Sequence, residues 1–317
     1  MKISICITVR DEEKSVAALL TSLLNQSLKP FEIVVVDGGS TDKTLQIVRH
    51  FAKKSKLIKM MSEPGSIAHG RNVSIEVARG DIIVTTDAGC VTKRTWLEKI
   101  ITPLKHKTVG LVAGFYDMPY DNSLQEAARV YLGVVPQRFD PTTFLPSARS
   151  VAFRKSVWES VGGFNEKLDK GGEDTEFFFK CVKKNVKIVR VEEARVVWKE
   201  LENMVVKDIT KKFFIYAKGD GQAGIWWHPS KQFSSHNIKI SLVFLRYIAG
   251  LILLGFGLFN PPLLTILSIL FCLYLIFPIW KWRDVIQDLK PRLLLPVIQI
   301  ISDIQVMRGF LSGTFQK

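Results

Sequence analysis

Residues 240–259 and 261–280 restrict this chain more than any other part of its sequence. The first stretch holds a single charge, Arg246, and the second holds none. A helix of about 20 apolar residues crosses the hydrocarbon core of a bilayer. Inside that core the backbone must satisfy its own hydrogen bonds, which a helix does. Both stretches are therefore expected to be membrane helices. The link between them is little more than Asn260, so they should form a tight hairpin. Arg246 lies toward one end, where its side chain is expected to snorkel to the interface. Lys281, Arg283, Lys290 and Arg292 follow the second stretch, and the positive-inside rule places them on the cytoplasmic side. A hairpin returns the chain to its starting side, so everything before residue 236 is expected there too. A third stretch, 293–313, carries Pro296, Asp303 and Arg308; it spans, re-enters or lies in the interface.

The 235 residues before the hairpin read as a globular domain, giving an expected division into 1–235 and 236–317. The chain carries 44 Lys and Arg against 30 Asp and Glu, a formal charge of +14. Such a balance suits nucleic acid, anionic lipid or phosphorylated substrates. No zinc-finger spacing, basic zipper or aromatic RNA-binding motif accompanies it, so nucleic acid is set aside and an anionic leaflet preferred. The four cysteines, Cys6, Cys90, Cys181 and Cys272, are far apart and form no C-x-x-C. They read as reduced thiols rather than a disulfide frame or a zinc site. Lys2 precedes an apolar stretch, but Arg10, Asp11, Glu12 and Glu13 follow at once. That is not the pattern of a signal peptide.

Apolar β-branched runs alternate with amphipathic stretches. Strands are expected at 3–9, 31–37, 57–61, 81–87 and 109–116, and helices behind Asp11, behind Asp42 and over 68–79. Val16, Leu19, Leu20, Leu23 and Leu24 make one helix face. This alternation predicts an α/β domain with a mostly parallel, Rossmann-like sheet. Ligands bind such sheets beyond the carboxyl ends of the strands, so Arg10, Asp11, Asp37 and Asp87 should face one crevice. From about 120 to 154 the pattern loosens around Pro119, Pro136, Pro141 and Pro146, and a loop-rich region is expected. Helix and strand signals return at 173–184 and 186–191.

Several motifs carry chemistry. Val34-Val-Val-Asp37-Gly-Gly-Ser40-Thr41-Asp42 is a strand ending in an acid, then a glycine turn and a helix start. It resembles the family 2 glycosyltransferases, which have the type A nucleotide-sugar fold. Thr8-Val9-Arg10-Asp11-Glu12, Ala68-His-Gly-Arg71-Asn72 and Thr85-Thr86-Asp87-Ala88-Gly89 are similar to further motifs of that family, in its order. Val161-Gly-Gly-Phe164 followed by Glu173-Asp174 resembles its acceptor-side motif. The resemblance implies a transferase that uses a nucleotide-sugar donor. It implies donor contacts at Thr8, Arg10, Glu12, Asp37, Ser40, Arg71 and Asp87, with Asp37 on the base or ribose and Arg71 on the diphosphate. It implies that Asp174 is the general base of an inverting reaction and that Glu173 orients the acceptor. Ser147, Arg149 and Trp198 fall where family members hold the acceptor.

The family's D-x-D holds a divalent cation against the donor's diphosphate. Here Asp87 is present and Gly89 replaces the second acid. Mg²⁺ or Mn²⁺ on Asp87 is the expectation, since such cations take carboxylate and diphosphate oxygens and keep several waters. The same substitution leaves open an inert nucleotide-sugar-binding homologue, or a membrane scaffold. The family's processive Q-x-x-R-W is absent, which points to one sugar per encounter. Trp226 and Trp227 suit a membrane interface, and His228 is a candidate late metal ligand. Acceptors matching a membrane anchor are lipid-linked glycans or polyprenyl phosphates.

Overall fold

Runs of Ile and Val that alternate with amphipathic stretches become a sheet covered on both faces. The computed structural model describes residues 1–168, 171–226 and 236–316. They fall into two units, Met1–Pro119 with Phe139–Glu200 and Tyr120–Arg138 with Leu201–Lys317. The second unit thus takes in residues 120–138 and 201–226 as well as the apolar tail.

The first unit opens with β1 (Ile3–Val9), α1 (Val16–Leu24), β2 (Glu32–Asp37), α2 (Thr44–Lys54), β3 (Ile58–Ser62), α3 (Ile67–Val77) and β4 (Ile82–Thr85). Every residue of β2 is buried, as a parallel strand between two helical layers requires. On α1 the buried residues are Val16, Leu19, Leu20 and Leu23, a single 3.6-period stripe. Then follow β5 (Cys90–Thr92), α4 (Trp96–Ile101) and β6 (Leu111–Asp117). The chain next forms α5 (Ser123–Leu132), which belongs to the second unit. It returns with β7 (Val151–Arg154), α6 (Lys155–Val161), α7 (Glu173–Lys183) and β8 (Ile188–Trp198).

The sheet has eight strands in the order β3-β2-β1-β4-β7-β6-β8-β5. Pairs β3–β2, β2–β1, β1–β4 and β6–β8 run parallel, while β4–β7, β7–β6 and β8–β5 run antiparallel. The mostly parallel sheet expected from the sequence is therefore present. Its core under α6 and α7 is aromatic: Phe164 stacks on Phe177 at 4.3 Å between ring centres, and Phe153 packs on Phe177 at 5.3 Å.

The second unit holds α5, α8 (Val206–Ala223), α9 (His236–Gly257), α10 (Pro261–Lys281) and α11 (Leu289–Phe315). The loop expected across 120–154 thus contains a helix. Asn122 caps α5 by accepting the Leu124 and Gln125 N–H groups at 3.1 Å each. α8 and α11 pack backbone to backbone. A Cβ at Gly309 would lie 2.2 Å from the Phe214 carbonyl, and one at Gly313 would lie 2.1 Å from the Lys218 carbonyl. Only glycine admits that approach.

Helices α9, α10 and α11 are each long and apolar enough to cross a membrane. Asn260 caps α10 by accepting the Leu263 N–H at 3.3 Å. Arg246 does not stand alone on α9, as a snorkelling residue would. It pairs with Asp303 of α11, which also accepts the Tyr274 hydroxyl of α10 at 2.7 Å. The Arg246 guanidinium lies 4.7 Å from the Tyr274 ring centre. Removing one member of such a pair leaves an uncompensated charge among apolar helices. Asp303→Leu should lower the melting temperature of detergent-purified protein, and Arg246→Leu added to it should recover most of the loss. A double variant no more stable than Asp303→Leu alone would show that the pair is not what holds these helices.

Candidate active site

Strand ends β1, β2 and β4 meet at one edge of the first unit. The Gly38 N–H donates to the Val9 carbonyl at 2.9 Å, tying the first two ends together. Asp37 is buried and organises its own turn. It accepts the Ser40 hydroxyl, the Gly39 and Ser40 N–H groups at 3.3 Å, and the Ser62 hydroxyl at 3.4 Å. Gly39 has φ +89°, which turns the chain toward α2. Opposite it, Asp11 (φ +53°) accepts the Thr41 N–H at 2.8 Å and gives its own N–H to Ser40 Oγ at 3.0 Å. The glycine turn and the Arg10–Glu12 loop are thus laced into one rim.

Thr8 is half-buried beneath that rim, and α3 comes close to it. A Cβ at Gly70 would stand 2.2 Å from Thr8 Oγ1. Arg10 is exposed and Glu12 half-buried. Burial pushes the Glu12 carboxyl above the usual carboxylate range, and Glu200, Asp87 and Asp42 push it the same way, against the hydroxyl that Ser15 donates.

Arg71, on the second turn of α3, lies at the centre. The residue is 4% exposed. One amino group donates to Asp87 Oδ1 at 2.8 Å, the other to Glu173 Oε1 at the start of α7. Burial alone would lower the Arg71 pKa, but Asp87, Glu173 and Asp174 outweigh it and raise it. Burial pushes the Glu173 carboxyl up while Arg71 pulls it down. One cation is therefore shared by the strand-end acid and by the acids opening α7. Among the described residues Glu173 Oε2 is buried without a hydrogen-bond partner.

The next residue, Asn72, fastens the Gly-Gly-Phe turn to the same helix. Its amide donates to the Phe164 carbonyl at 2.8 Å and accepts the Phe164 N–H at 2.9 Å and the Trp158 indole N–H at 3.1 Å. Gly163 (φ +67°) has no room for a side chain there: a Cβ would lie 2.9 Å from Asn72 Oδ1.

Asp174 is half-buried at the first turn of α7. It accepts the Thr175 N–H at 2.7 Å and the Ala148 N–H at 3.4 Å. The Ala148 carbonyl in turn accepts the Thr85 hydroxyl at 3.0 Å. The 145–150 loop is thereby held between β4 and α7. Within it, Arg149 gives an N–H to Ser147 Oγ at 3.0 Å and lies 3.8 Å over the Trp198 ring and 5.3 Å from Tyr116. Trp198 is 2% exposed, with its indole N–H on Glu200 Oε2 at 2.9 Å. The sequence-derived set therefore divides into a rim (Arg10, Glu12, Asp37, Ser40), an ionic centre (Arg71, Asp87, Glu173, Asp174) and an Arg149–Trp198–Ser147 stack. Glu200 and Tyr116 escape sequence reasoning, because neither falls in a motif; Tyr116 is brought in by β6, and Glu200 by the 3-10 turn Lys199–Leu201 that follows β8.

Among the described residues no three His, Cys, Asp or Glu side chains are grouped to hold a metal. Trp227 and His228 lie outside the described residues. Burial pushes the Cys6 and Cys90 thiols far up and that of Cys181 up to about 12.

An acid-ended, mostly parallel sheet with a second pair of acids opening a helix beside it is the architecture of a nucleotide-sugar glycosyltransferase of the type A fold. The chain belongs to Glycosyl transferase family 2, whose family model matches residues 4–162. It is 29% identical over 187 residues to glycosyltransferase AglE of Haloferax volcanii, a match covering 54% of this chain and 58% of AglE. It is 36% identical over 92 residues to the poly(ribitol-phosphate) beta-N-acetylglucosaminyltransferase TarS of Staphylococcus aureus, covering 28% of this chain and 16% of TarS. The matches thus span less than two thirds of these relatives. Among solved structures, the mannosyltransferase PcManGT from Pyrobaculum calidifontis, in complex with GDP-Man and Mn²⁺, superposes with a TM-score of 0.69 at 19% identity. That superposition covers 96% of this chain and 87% of PcManGT.

Proposed function

We propose that this chain is an inverting, non-processive glycosyltransferase that moves a sugar from a nucleoside diphosphate donor to a membrane-associated, lipid-linked acceptor. The observation that carries this reading is the Arg71 bridge, which joins the strand-end acid Asp87 to the Glu173–Asp174 pair. Donor-side and acceptor-side carboxylates are thereby gathered in one crevice.

Asp174 is the general base. Its carboxylate takes the proton of an acceptor hydroxyl as that oxygen attacks the anomeric carbon and the bond to the diphosphate breaks. The N–H groups of Ala148 and Thr175 fix the direction in which it faces. An acceptor phosphate, already ionised, needs no such base. Glu173 orients the acceptor, and Ser147, Arg149 and Trp198 form the wall on that side. Arg10, Glu12, Asp37 and Ser40 form the nucleotide rim around Thr8.

A divalent cation, Mg²⁺ or Mn²⁺, fits the donor set. Asp87 Oδ1 accepts an N–H from Arg71, which leaves Oδ2 for the cation, and among the described residues Glu173 Oε2 is a buried oxygen without a partner. A cation held there would supply positive charge against the diphosphate of the donor. Helices α9 and α10 anchor the chain as a hairpin, with residues 1–235 on the cytoplasmic side next to Lys281 and Arg283.

Calorimetry on the full chain in detergent, with UDP- and GDP-sugars in Mn²⁺, Mg²⁺ or EDTA, tests the reading. One donor should bind, more weakly in EDTA. Folded protein that binds none of them would overturn it.

A further inference from the structure

Position 89, where the family pattern has an acid, carries no side chain. The structure nevertheless brings a carboxylate to its side. β5 and β8 pair antiparallel, with Cys90 opposite Trp198, and the Lys199 N–H donates to the Gly89 carbonyl at 3.0 Å. This register carries the residue after Lys199 alongside the Asp87–Gly89 turn. A Cβ built on Gly89 would sit 4.0 Å from Glu200 Cβ and 3.9 Å from Trp198 Cδ1. The Trp198 indole N–H holds Glu200 Oε2 at 2.9 Å, which fixes the carboxylate on this side of the strand.

We infer that Glu200, in the turn that follows β8, supplies the second carboxylate that the Asp87-Ala88-Gly89 turn lacks, so that Asp87 and Glu200 together hold the divalent cation. Glu200 stands beside this turn because β8 pairs with β5, the strand that starts at Cys90. Two protein carboxylates, with diphosphate oxygens and waters, complete the oxygen shell that Mg²⁺ or Mn²⁺ requires. A third acidic side chain is not needed. The inference rests on the proposed donor site and assigns its metal-binding residues.

The test measures Mn²⁺ binding to the full chain in detergent, from the free-ion electron paramagnetic resonance signal, with UDP or GDP present. Glu200→Gln keeps the size of the side chain and an oxygen for the Trp198 indole. It should weaken Mn²⁺ binding by at least about ten-fold, while nucleotide binding in EDTA stays as in the parent. Gly89→Asp added to Glu200→Gln should restore Mn²⁺ affinity; its Cβ meets only ordinary contacts. Unchanged Mn²⁺ affinity in Glu200→Gln, with nucleotide still bound, overturns the Glu200 assignment and leaves the donor site standing. A parent protein that binds nucleotide but no Mn²⁺ does the same. A parent that binds neither nucleotide overturns the functional reading and this inference together.

Discussion

Asp174→Asn should lower the turnover number for a hydroxyl acceptor by about 10²- to 10⁴-fold, the usual contribution of a positioned general base. Asparagine has nearly the same shape and still accepts the Thr175 N–H that Asp174 accepts at 2.7 Å, so the opening turn of α7 persists. What it cannot do is take the proton. Donor affinity measured by calorimetry should therefore match the parent, and the loss should appear in single-turnover transfer to the acceptor. An acceptor phosphate offers the contrasting arm: it attacks as an oxyanion, and the same variant should transfer to it nearly unimpaired. Full turnover of Asp174→Asn with a hydroxyl acceptor would remove this residue from the chemistry.

The second large effect is structural. Arg71→Met keeps the length of the side chain and deletes the charge shared by Asp87 and Glu173. Breaking a buried ion pair costs about 3–5 kcal/mol. For a unit of this size that corresponds to a fall in melting temperature of about 6–20 °C. Donor binding should fall as well, because Asp87 loses the partner that orients it. Glu173→Gln in the Arg71→Met background should cost less than in the parent, since the carboxylate it removes is by then unpaired. An unchanged melting temperature in Arg71→Met would show that the three charges are solvated rather than mutually dependent.

Much of the fold is legible in the sequence because its signals are local. β2 reads as a buried strand from Ile33 to Val36 alone, and α1 from the spacing of Val16, Leu19, Leu20 and Leu23. The acids at 37 and 87 stand at strand ends, where a parallel sheet puts its ligands. The apolar hairpin declares itself by length. What is not legible depends on contacts across the chain. α5 is hidden because prolines crowd its surroundings, although Asn122 is a good cap for it. The length of β8, Ile188–Trp198, follows from pairing with both β6 and β5, and no periodicity predicts that. Glu200 becomes interesting only when β8 lies beside β5. The charges on Arg246 and Asp303 read as separate blemishes in two apolar stretches until α9 and α11 bring them together.

Arg71 and Asn72 are consecutive, yet they point at different partners. One reaches Asp87 and Glu173; the other grips Trp158 and Phe164. A single turn of α3 is therefore a joint on which three other stretches of chain converge. Specificity in such an enzyme is commonly altered by exchanging loops between relatives. Here the 145–168 segment can be replaced as a cassette only if its far end still presents a backbone N–H and carbonyl to Asn72. Its successor must likewise present an acid to Arg71. Such an exchange must also keep β7 paired with β4 and β6 and the Ala148 contacts to Thr85 and Asp174. One that ignores the Asn72 and Arg71 anchorages should disturb Asp87 through Arg71 without touching Asp87 itself.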